Sequence, residues 1–373
     1  MIGKLGEMPV PLVALSAFCV DVLRAVGVPA GAAALVADSL SAADARNIPS
    51  HGVVRLLPVY VRRLETGSTR PAPRIRVVQR RGATALIDGD AGMGQVVGHD
   101  AMHLAITMAR EQGAGIVGVR HSSHFGTGAF FVEQAVKAGM IGVGMSNATP
   151  NMPPAGGRGR FLGTNPLTIG APGPDHRPIV LDMATSVVAR GKIVMAQKEG
   201  RAIPAGWAID SDGNPTEDPE AALRGAVLAM AGYKGAGLAL MIDLLCGVLT
   251  GAAFGPHIVD LYDGSTSAQN VGHFFAAIDV EAFMPLAAFR ARVGQFVDEV
   301  RAQPRLPGID VIHLPGELEL AAAERARRNG IIITEAGWHE LDTLARRLEV
   351  TPLEDRLPVS PQSRDNAPVA KPA

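Results

Sequence analysis

The chain has 373 residues, of which 47% are hydrophobic and 4% aromatic, with 43 glycines and 27 prolines. This balance excludes a disordered chain and favours a compact α/β protein of two or three domains with many tight turns. The 35 basic and 36 acidic residues leave a formal net charge of −1. The charge balance therefore gives no broad footprint for nucleic acid or for an anionic membrane as a partner.

The cysteines and the apolar runs indicate the compartment. Cys19 and Cys246 lie far apart in sequence and outside any Cys-x-x-Cys or Cys/His cluster, so we expect both to be buried in a reducing environment. The apolar residues at 10–22 recur at helical spacing, and no small-x-small cleavage site ends that stretch. No apolar run approaches the ~20 uninterrupted residues that span a bilayer. These features predict a cytoplasmic protein without a membrane partner.

Two helices are predicted within residues 11–46, with a break at Gly27-Val28-Pro29. The next proline, Pro49, holds Ile48 in an extended geometry, so a helix should not run straight through it. A new helix is expected at residues 53–65, with Ser50 as its N-cap and Gly67 after its end.

In this placement His51 and Arg55 share one face near a helix N-terminus, where the dipole favours anions. A proton donor beside a group that can clamp a carboxylate suits a small acid substrate. The alternative is that Ser50 is only a cap and that solvated side chains follow it.

Polar side chains follow the ends of two predicted strands in the middle of the chain. A strand at 115–119 runs into residues 120–128, with the sequence Arg-His-Ser-Ser-His-Phe-Gly-Thr-Gly, and a helix is predicted at 128–139. A strand at 141–145 leads into Ser146, and a Gly/Pro-rich loop continues to Pro166. Polar loops on adjacent strand ends are typical of a small-molecule site.

A Gly-rich stretch at 89–98 lies between predicted strands at 71–79 and 84–87 and a predicted helix at 99–113. It does not match Gly-x-Gly-x-x-Gly, because Val97 stands where the third glycine should be, so we interpret it as a turn. No other segment supplies the strand, glycine motif and helix of a Rossmann unit. A nicotinamide cofactor would need a different architecture here.

Charged residues at three further element ends are candidate ligands. Asp182 follows a predicted strand at 179–181, where it could face a ligand or cap a helix. Arg190 and Lys192 follow soon after it. Lys234 opens a Gly-rich helix start before an apolar helix at 235–253, which suits a phosphate or carboxylate, although a solvated lysine is the alternative.

The C-terminal third is predicted to contain a strand at 273–279 and helices at 285–303, 317–329 and 335–348. Beyond Thr351, Pro, Ser, Asp and Arg dominate, so residues 352–373 are predicted to be a disordered tail.

Metal and serine-nucleophile sites fit the sequence poorly. His121 and His124 lack a nearby Cys or carboxylate that would complete a ligand set, and no Gly-x-Ser-x-Gly elbow is present. What remains is two histidine-bearing loops and a set of cations, Arg55, Arg190, Lys192 and Lys234. Together these suit an acid substrate and proton transfer.

A set of short segments then stands in order along nearly the whole chain. They are Asp44-Ala45-Arg46 with Ser50-His51-Gly52, Ser123-His124-Phe125-Gly126, Gly163-Thr164-Asn165-Pro166, Leu181-Asp182-Met183-Ala184-Thr185, Gly191-Lys192, Lys234-Gly235 and Pro315-Gly316-Glu317. Each is weak alone, but the ordered set resembles the malate/L-lactate dehydrogenases of the second type. That family also includes ureidoglycolate, sulfolactate and diketogulonate dehydrogenases and cyclic-imine (Δ1-piperideine-2-carboxylate) reductases.

The resemblance implies an NAD(P)-dependent oxidoreductase that is active as a homodimer and transfers a hydride between nicotinamide and C2 of a small 2-hydroxy or 2-oxo acid. The implied fold is a non-Rossmann α/β fold, with a mixed, largely antiparallel sheet and a helical N-terminal subdomain. That subdomain would cover residues 1–75 and pack with C-terminal helices at 317–350. Residues 76–316 would form the cofactor- and substrate-binding core.

The resemblance also assigns residue roles. His51 matches a proton donor with Ser50 beside it, and His124 matches an acid/base residue of some members, so both stay candidates. Arg55 and Thr164 would hold the substrate carboxylate, and Arg190 and Lys192 complete the substrate set. The cofactor would be bound by His121, Ser122, Ser123, Phe125, Ser146, Asp182, Met183, Ala184, Lys234, Gly316 and Glu317. No metal is expected.

Substrate and cofactor identity stay open at this point. The cation at Lys192 favours an oxo or hydroxy acid, because it would repel an iminium substrate by about 1–4 kcal/mol at ~4 Å. A cyclic-imine-2-carboxylate reductase is the alternative, and a catalytically inactive dinucleotide-binding protein is an alternative of another class. Nothing in the sequence decides between NAD and NADP.

Overall fold

The computed structural model describes residues 8–262 and 264–357 of the chain. A seven-stranded sheet has the strand order β1-β2-β3-β10-β4-β5-β6, and a three-stranded sheet has the order β8-β7-β9. The strands are Arg76–Arg81 (β1), Thr84–Asp88 (β2), Ala114–Ser122 (β3), Met140–Ser146 (β4), Leu167–Ala171 (β5), Ile179–Met183 (β6), Ala208–Ile209 (β7), Pro215–Thr216 (β8), Ala226–Val227 (β9) and Val271–Asp279 (β10).

The large sheet is mixed and mainly antiparallel. The pair β2 with β3 is parallel, and the other neighbouring pairs are antiparallel. This confirms the predicted non-Rossmann class, since Rossmann sheets are mostly parallel. Strand β10 runs antiparallel to both β3 and β4. The last residues of those two strands, Ser122 and Ser146, therefore lie at the same end of the sheet, beside the start of β10.

Helices cover the sheet and form a separate N-terminal layer. They are Leu12–Ala25 (α1), Ala30–Ala45 (α2), Arg62–Glu65 (α3), Gly94–Gln112 (α4), Ala129–Lys137 (α5), Arg190–Lys198 (α6), Pro219–Arg224 (α7), Tyr233–Asp243 (α8), Leu286–Arg301 (α9), Glu317–Asn329 (α10) and Glu335–Leu348 (α11). The predicted break between the first two helices, and the predicted bounds 317–329 and 335–348, are confirmed.

Helices α4 and α5 pack closely against β3 and β4 because glycines face them. A Cβ at Gly115 of β3 would lie 2.1 Å from the Ala105 carbonyl oxygen, and a Cβ at Gly142 of β4 would lie 2.9 Å from the Val132 carbonyl oxygen. Phe131 and Phe275 are fully buried in the apolar cluster between these elements. The close approach fixes the helices relative to the strand ends that carry the candidate site.

A second core is helical. Leu15, Phe18, Leu40 and Trp338 belong to one buried cluster contributed by α1, α2 and α11. Helix α10 packs on α2. The N-terminal helices therefore contact C-terminal helices as expected, while the exact division of the chain into domains stays a prediction.

The predicted regular helix at 53–65 is wrong in detail. Two 3-10 turns, Pro49–His51 and Val53–Arg55, precede a π-helix at Leu56–Val61 and then α3. Pro58 has no N–H to donate, which interrupts the α-helical hydrogen-bond ladder and favours the wider turn. Ser50 is also not an N-cap, because it lies inside the first 3-10 turn, whose N-cap is Ile48.

The largest other differences from the prediction are at three element boundaries. Strand β1 begins at Arg76 instead of residue 71, because Pro71 and Pro73 cannot donate to a ladder. Helix α4 begins at Gly94 and not at residue 99. A Cβ at Gly94 would lie 2.2 Å from the Ser123 carbonyl oxygen, so this close approach needs a glycine. The apolar helix after Lys234 passes into a π-helix at Leu244–Val248 and ends before residue 253.

Packing extends past the predicted start of the tail at residue 352. Leu353 is buried in the helical core, and an Arg356 terminal nitrogen lies 2.7 Å from Asp21 Oδ2. The remaining tail prediction, 358–373, lies outside the described residues. Cys19 and Cys246 are free and buried, as predicted. Within the described ranges, every helix is too short or too polar to cross a bilayer.

Candidate active site

The two candidate histidines lie side by side, although His51 follows the N-terminal helices and His124 follows strand β3 of the large sheet. The His51 and His124 rings lie 5.6 Å apart between centroids, with planes inclined by 22°. Ser50 Oγ lies 3.0 Å from His51 Nδ1. The His124 backbone N–H donates to Gln269 Oε1 at 3.2 Å. Ser50 therefore contacts the His51 ring, Gln269 fixes the His124 backbone, and the two rings form a stacked pair.

Tyr60 is a site residue that the sequence analysis missed. Its hydroxyl lies 2.8 Å from His124 Nδ1, and it reaches this position from the end of the π-helix at Leu56–Val61. Burial raises the pKa of the Tyr60 hydroxyl, so Tyr60 stays neutral. Single π-turns are frequent at functional sites. In the sequence Tyr60 looks like an ordinary apolar position of an amphipathic helix, so nothing local singled it out.

Both histidines are neutral at neutral pH. Burial, and secondly the Arg55 charge, lowers the pKa of His51 to about 4. Burial also lowers the pKa of His124 well below its usual value, with His51, Arg55 and His273 adding to the effect. A neutral imidazole has a free lone pair, so each histidine is able to accept a proton.

Arg55 lies next to the histidine pair. Its Nε donates to the Ser50 carbonyl oxygen, and its guanidinium carbon lies 5.5 Å from the centre of the Tyr262 ring. In the part of the chain that the structure describes, no Asp or Glu forms an ion pair with it. Its terminal nitrogens are free for a carboxylate, the group that a guanidinium binds in a two-pronged manner.

Several residues predicted to bind cofactor have buried side chains that contact other protein groups. The side chain of His273, fully buried on β10, lies 2.8 Å from Ser122 Oγ through Nε2 and 2.9 Å from Ser146 Oγ through Nδ1. The Phe125 ring stacks on His273 at 4.8 Å and is itself buried. Ser123 Oγ donates to the Gly92 carbonyl oxygen at 2.9 Å. These side chains shape the floor of the site from within the core.

His121 belongs to strand β3 and not to the loop in which it was predicted. Its Nδ1 lies 3.0 Å from Asp88 Oδ2, and Arg120 Nε lies 3.5 Å from the same oxygen. The His121 backbone adopts a φ of +51°, and its N–H donates to Asn270 Oδ1 at 3.0 Å. His121 is half-exposed, so part of its ring is open to a ligand.

Asp182 caps a helix, which is the alternative that the sequence left open. Its two oxygens accept from the Ala129 N–H at the start of α5 and from Thr168 Oγ1, both at 2.8 Å. Burial raises the pKa of Asp182, while these hydrogen bonds oppose the rise. Nearby, the Thr164 carbonyl oxygen accepts from the Thr185 N–H at 3.0 Å, next to the partly buried Met183 and Ala184.

The remaining candidates form an outer set that makes no direct contact with the histidine pair. Lys192 and Lys234 are exposed near the starts of α6 and α8, and Arg190 is half-exposed. Neither lysine pairs with an acid among the described residues. Glu317 pairs with Arg301 and accepts from the Leu314 N–H at 3.0 Å. Gly316, with φ +83°, lies against Val180 of β6.

Comparison with known proteins identifies the family. A profile described as malate/L-lactate dehydrogenase matches residues 10–342. A malate dehydrogenase of Pyrococcus horikoshii is 40% identical over 349 residues, covering 91% of this chain and 96% of that protein. The chain belongs to the malate/L-lactate dehydrogenase family. A solved malate dehydrogenase structure from the same species has a TM-score of 0.85 at 38% identity, covering 92% of this chain and 97% of that one.

Two further members show the range of the family. A ureidoglycolate dehydrogenase (NAD(+)) of Escherichia coli is 37% identical over 303 residues, covering 81% of this chain and 86% of that protein. The solved Δ1-piperideine-2-carboxylate reductase of Pseudomonas syringae has a TM-score of 0.82 at 30% identity, covering 91% of this chain and all of that one, 100%. The predicted family, fold class and oxidoreductase class are confirmed.

Proposed function

We propose that the chain transfers a hydride between the nicotinamide of NAD or NADP and C2 of a small 2-hydroxy or 2-oxo acid. The observation that carries the proposal is the neutral pair of His51 and His124 beside Arg55, whose guanidinium has no acidic partner in the described structure. A 2-oxo acid offers a carboxylate for Arg55 and, two atoms away, an oxygen for a histidine. These two functions of the substrate correspond to the two kinds of group in the site, a guanidinium and a neutral imidazole.

Arg55 would hold the substrate carboxylate, with Thr164, Arg190 and Lys192 as further candidates. Because the guanidinium is largely removed from water, a carboxylate bound to it gains more than it would at an open surface. The Arg55 Nε is already engaged with the Ser50 carbonyl oxygen, which fixes the direction of the terminal nitrogens. A fixed fork favours one orientation of the acid and therefore one face of C2.

Proton transfer would belong to the histidine pair. In the oxidation direction, a histidine that is neutral in the free protein takes the proton of the substrate hydroxyl. If the His124 Nδ1–H donates to Tyr60, its Nε2 lone pair is free for this step. In the reduction direction the histidine must be protonated, and a bound carboxylate assists by offsetting the Arg55 charge that lowers the pKa of His51.

The described residues fit a dinucleotide. Lys234 lies at the start of α8 without an acidic partner among the described side chains, which suits a diphosphate at a helix N-terminus. His121 and the Gly316 loop offer further polar groups, whereas Ser122, Ser146 and Phe125 would act by shaping the floor. When bound, the nicotinamide supplies or accepts the hydride. The protein orients the acid and moves the proton.

A coupled assay tests the proposal. Purified protein is mixed with NADH or NADPH and a panel of 2-oxo acids and cyclic imines, and oxidation of the nicotinamide is followed. We expect turnover of at least one 2-oxo acid, with a loss of about 100-fold or more in His51→Ala or His124→Ala. Failure of every panel member, or undiminished rates in both variants, would refute the proposal. Cofactor binding without turnover would instead indicate the inactive alternative.

A cyclic-imine reductase is the second candidate, because a solved reductase of that kind shares the fold over 91% of this chain. The exposed cation Lys192 disfavours an iminium substrate if it lies near the bound acid. Comparing Δ1-piperideine-2-carboxylate with pyruvate and oxaloacetate in the same assay decides between the two, since kcat/KM ratios report the preference directly.

We also propose a homodimer in the cytoplasm. Helix α8 and the π-helix that follows it expose a stripe of apolar side chains at helical spacing. The stripe consists of Tyr233, Leu240, Met241, Leu244 and Val248. Such a contiguous stripe supports burial against a second copy of this chain.

The cytoplasmic location is supported by the cysteines. Free, buried Cys19 and Cys246 suit a reducing compartment.

A further inference from the structure

A buried carboxyl lies directly beneath the loop that carries His51 and Arg55. Asp44 is in the last turn of α2, and its Oδ2 accepts a hydrogen bond from the Val53 N–H at 2.8 Å. Val53 begins the second 3-10 turn, so this bond joins the helix to the middle of the loop. The loop is thereby tied to α2 at a point between the two candidate site residues.

Gly52 adds a second restraint through close packing. A Cβ at this position would lie 2.0 to 2.4 Å from the three carboxyl atoms of Asp44. The φ of Gly52 is −86°, which any residue can adopt, so glycine is needed for the approach and not for the backbone conformation. The loop therefore packs against the Asp44 carboxyl through Gly52 and is hydrogen-bonded to it through Val53.

The helix that carries Asp44 is itself fixed to the layer that carries His124. Arg46, two residues past Asp44, forms an ion pair with Glu133 of α5. Helix α5 starts a few residues after His124, and Asp182 of the sheet caps its N-terminus. A continuous set of contacts therefore runs from the sheet through α5 and α2 to the His51 loop.

We infer that Asp44 is a positioning residue for the oxidoreductase reaction, which holds His51 and Arg55 at their working distance from His124. The inference rests on the proposed function for the meaning of that distance. Asp44 touches neither histidine directly, so it acts through Val53 and Gly52. Errors of about 1 Å in such a site can cost of order 100-fold in rate, which makes an anchoring contact consequential.

Asparagine is a conservative substitute for Asp44, because its carboxamide resembles a neutral carboxyl group. Burial raises the pKa of Asp44 to about 7, so the neutral carboxyl is accessible near neutral pH. A carboxamide keeps an oxygen that accepts from the Val53 N–H, whereas a methyl group does not. Asp44→Asn should therefore retain the anchor, and Asp44→Ala should lose it.

Steady-state kinetics with the best 2-oxo acid tests this. We expect Asp44→Ala to lower kcat/KM by at least about 10-fold and Asp44→Asn to stay within about threefold of wild type. Asp38→Ala, on the exposed side of the same helix, is the matched control and should match wild type. Wild-type rates in Asp44→Ala, or an Asn variant as poor as the Ala variant, would overturn the inference.

Hydrogen exchange gives a readout that does not depend on activity. In Asp44→Ala, the backbone amides of residues 50–55 should exchange faster than in wild type, while Asp38→Ala leaves them unchanged. If wild type turns over no acid but the exchange difference appears, the proposed function fails and the anchor stands. Unchanged exchange in Asp44→Ala overturns the anchor itself.

A double-mutant cycle checks the contact even if one variant is poorly folded. Gly52→Ala should damage exchange protection of the loop in the wild-type background, because its methyl group collides with the Asp44 carboxyl. In the Asp44→Ala background the same change should cost little more, since the space is then open. Simple additivity of the two effects would show that the residues do not interact and would overturn the inference.

Discussion

The lowered pKa values of the two histidines determine how activity should depend on pH. A residue that acts as a base must be unprotonated, and in the free protein the pKa of His51 is about 4. Activity in the oxidation direction is therefore fully present at neutral pH and is lost only as pH falls through about 4.

We predict that kcat/KM for a 2-hydroxy acid is flat from neutral pH down to about 5 and declines below that, because kcat/KM reports the free protein. The measurement is a pH series of initial rates, with circular dichroism at each pH as a control for unfolding. A decline centred near pH 6.5, the usual histidine value, would show that the histidines are not buried in this way.

The contact between Tyr60 and His124 gives a second prediction at this scale. Tyr60→Phe removes the hydroxyl that lies 2.8 Å from His124 Nδ1, so the ring loses the partner that sets its orientation and its tautomer. We expect kcat to fall by about 10- to 100-fold with little change in KM. Tyr262→Phe is the control, because that ring would still lie over Arg55. An unchanged kcat in Tyr60→Phe would contradict this role.

At the scale of secondary-structure elements, the sequence predicted most helices and strands because their periodicity is local. It missed features that depend on distant partners. The sequence left Asp182 open as a ligand or a helix cap, but it could not show that the helix is α5, whose first residue is 53 positions earlier. Likewise Ser122 and Ser146 look like loop residues until β10 brings His273 between them. Tyr60 reaches His124 only through a π-turn that periodicity does not reveal.

The cap that Asp182 provides can be tested through a glycine beside it. At Gly128 an added Cβ would lie 1.8 Å from Thr168 Oγ1 and 3.3 Å from Asp182 Oδ1. We expect Gly128→Ala to lower the free energy of unfolding by about 2 kcal/mol or more, measured by urea titration. Gly31→Ala is the control on α2, where an added Cβ meets no atom within 4 Å. Equal stability of both variants would contradict the described packing.

At the scale of the whole molecule, the apolar stripe on α8 predicts where two copies meet. Leu244→Asp places a charge on the stripe, so the proposed dimer should dissociate into monomers in analytical ultracentrifugation. Leu318→Asp, at an exposed position on α10, is the matched control and should leave the dimer intact. A dimer that survives Leu244→Asp would place the interface elsewhere, and a monomeric wild type would remove the homodimer proposal.

The two cores of the molecule are joined at the candidate site, since His51 and Arg55 follow the helical layer and His124 follows the sheet. This arrangement explains why residues so distant in sequence act together, and it makes hydride transfer to an acid held between the layers the central claim. The direct measurement uses NADH or NADPH carrying deuterium at the transferred position of nicotinamide C4, a 2-oxo acid, and mass spectrometry of the product. We predict a 2-hydroxy acid with one deuterium on C2. A product without deuterium at C2, or no product with any 2-oxo acid, would contradict the account.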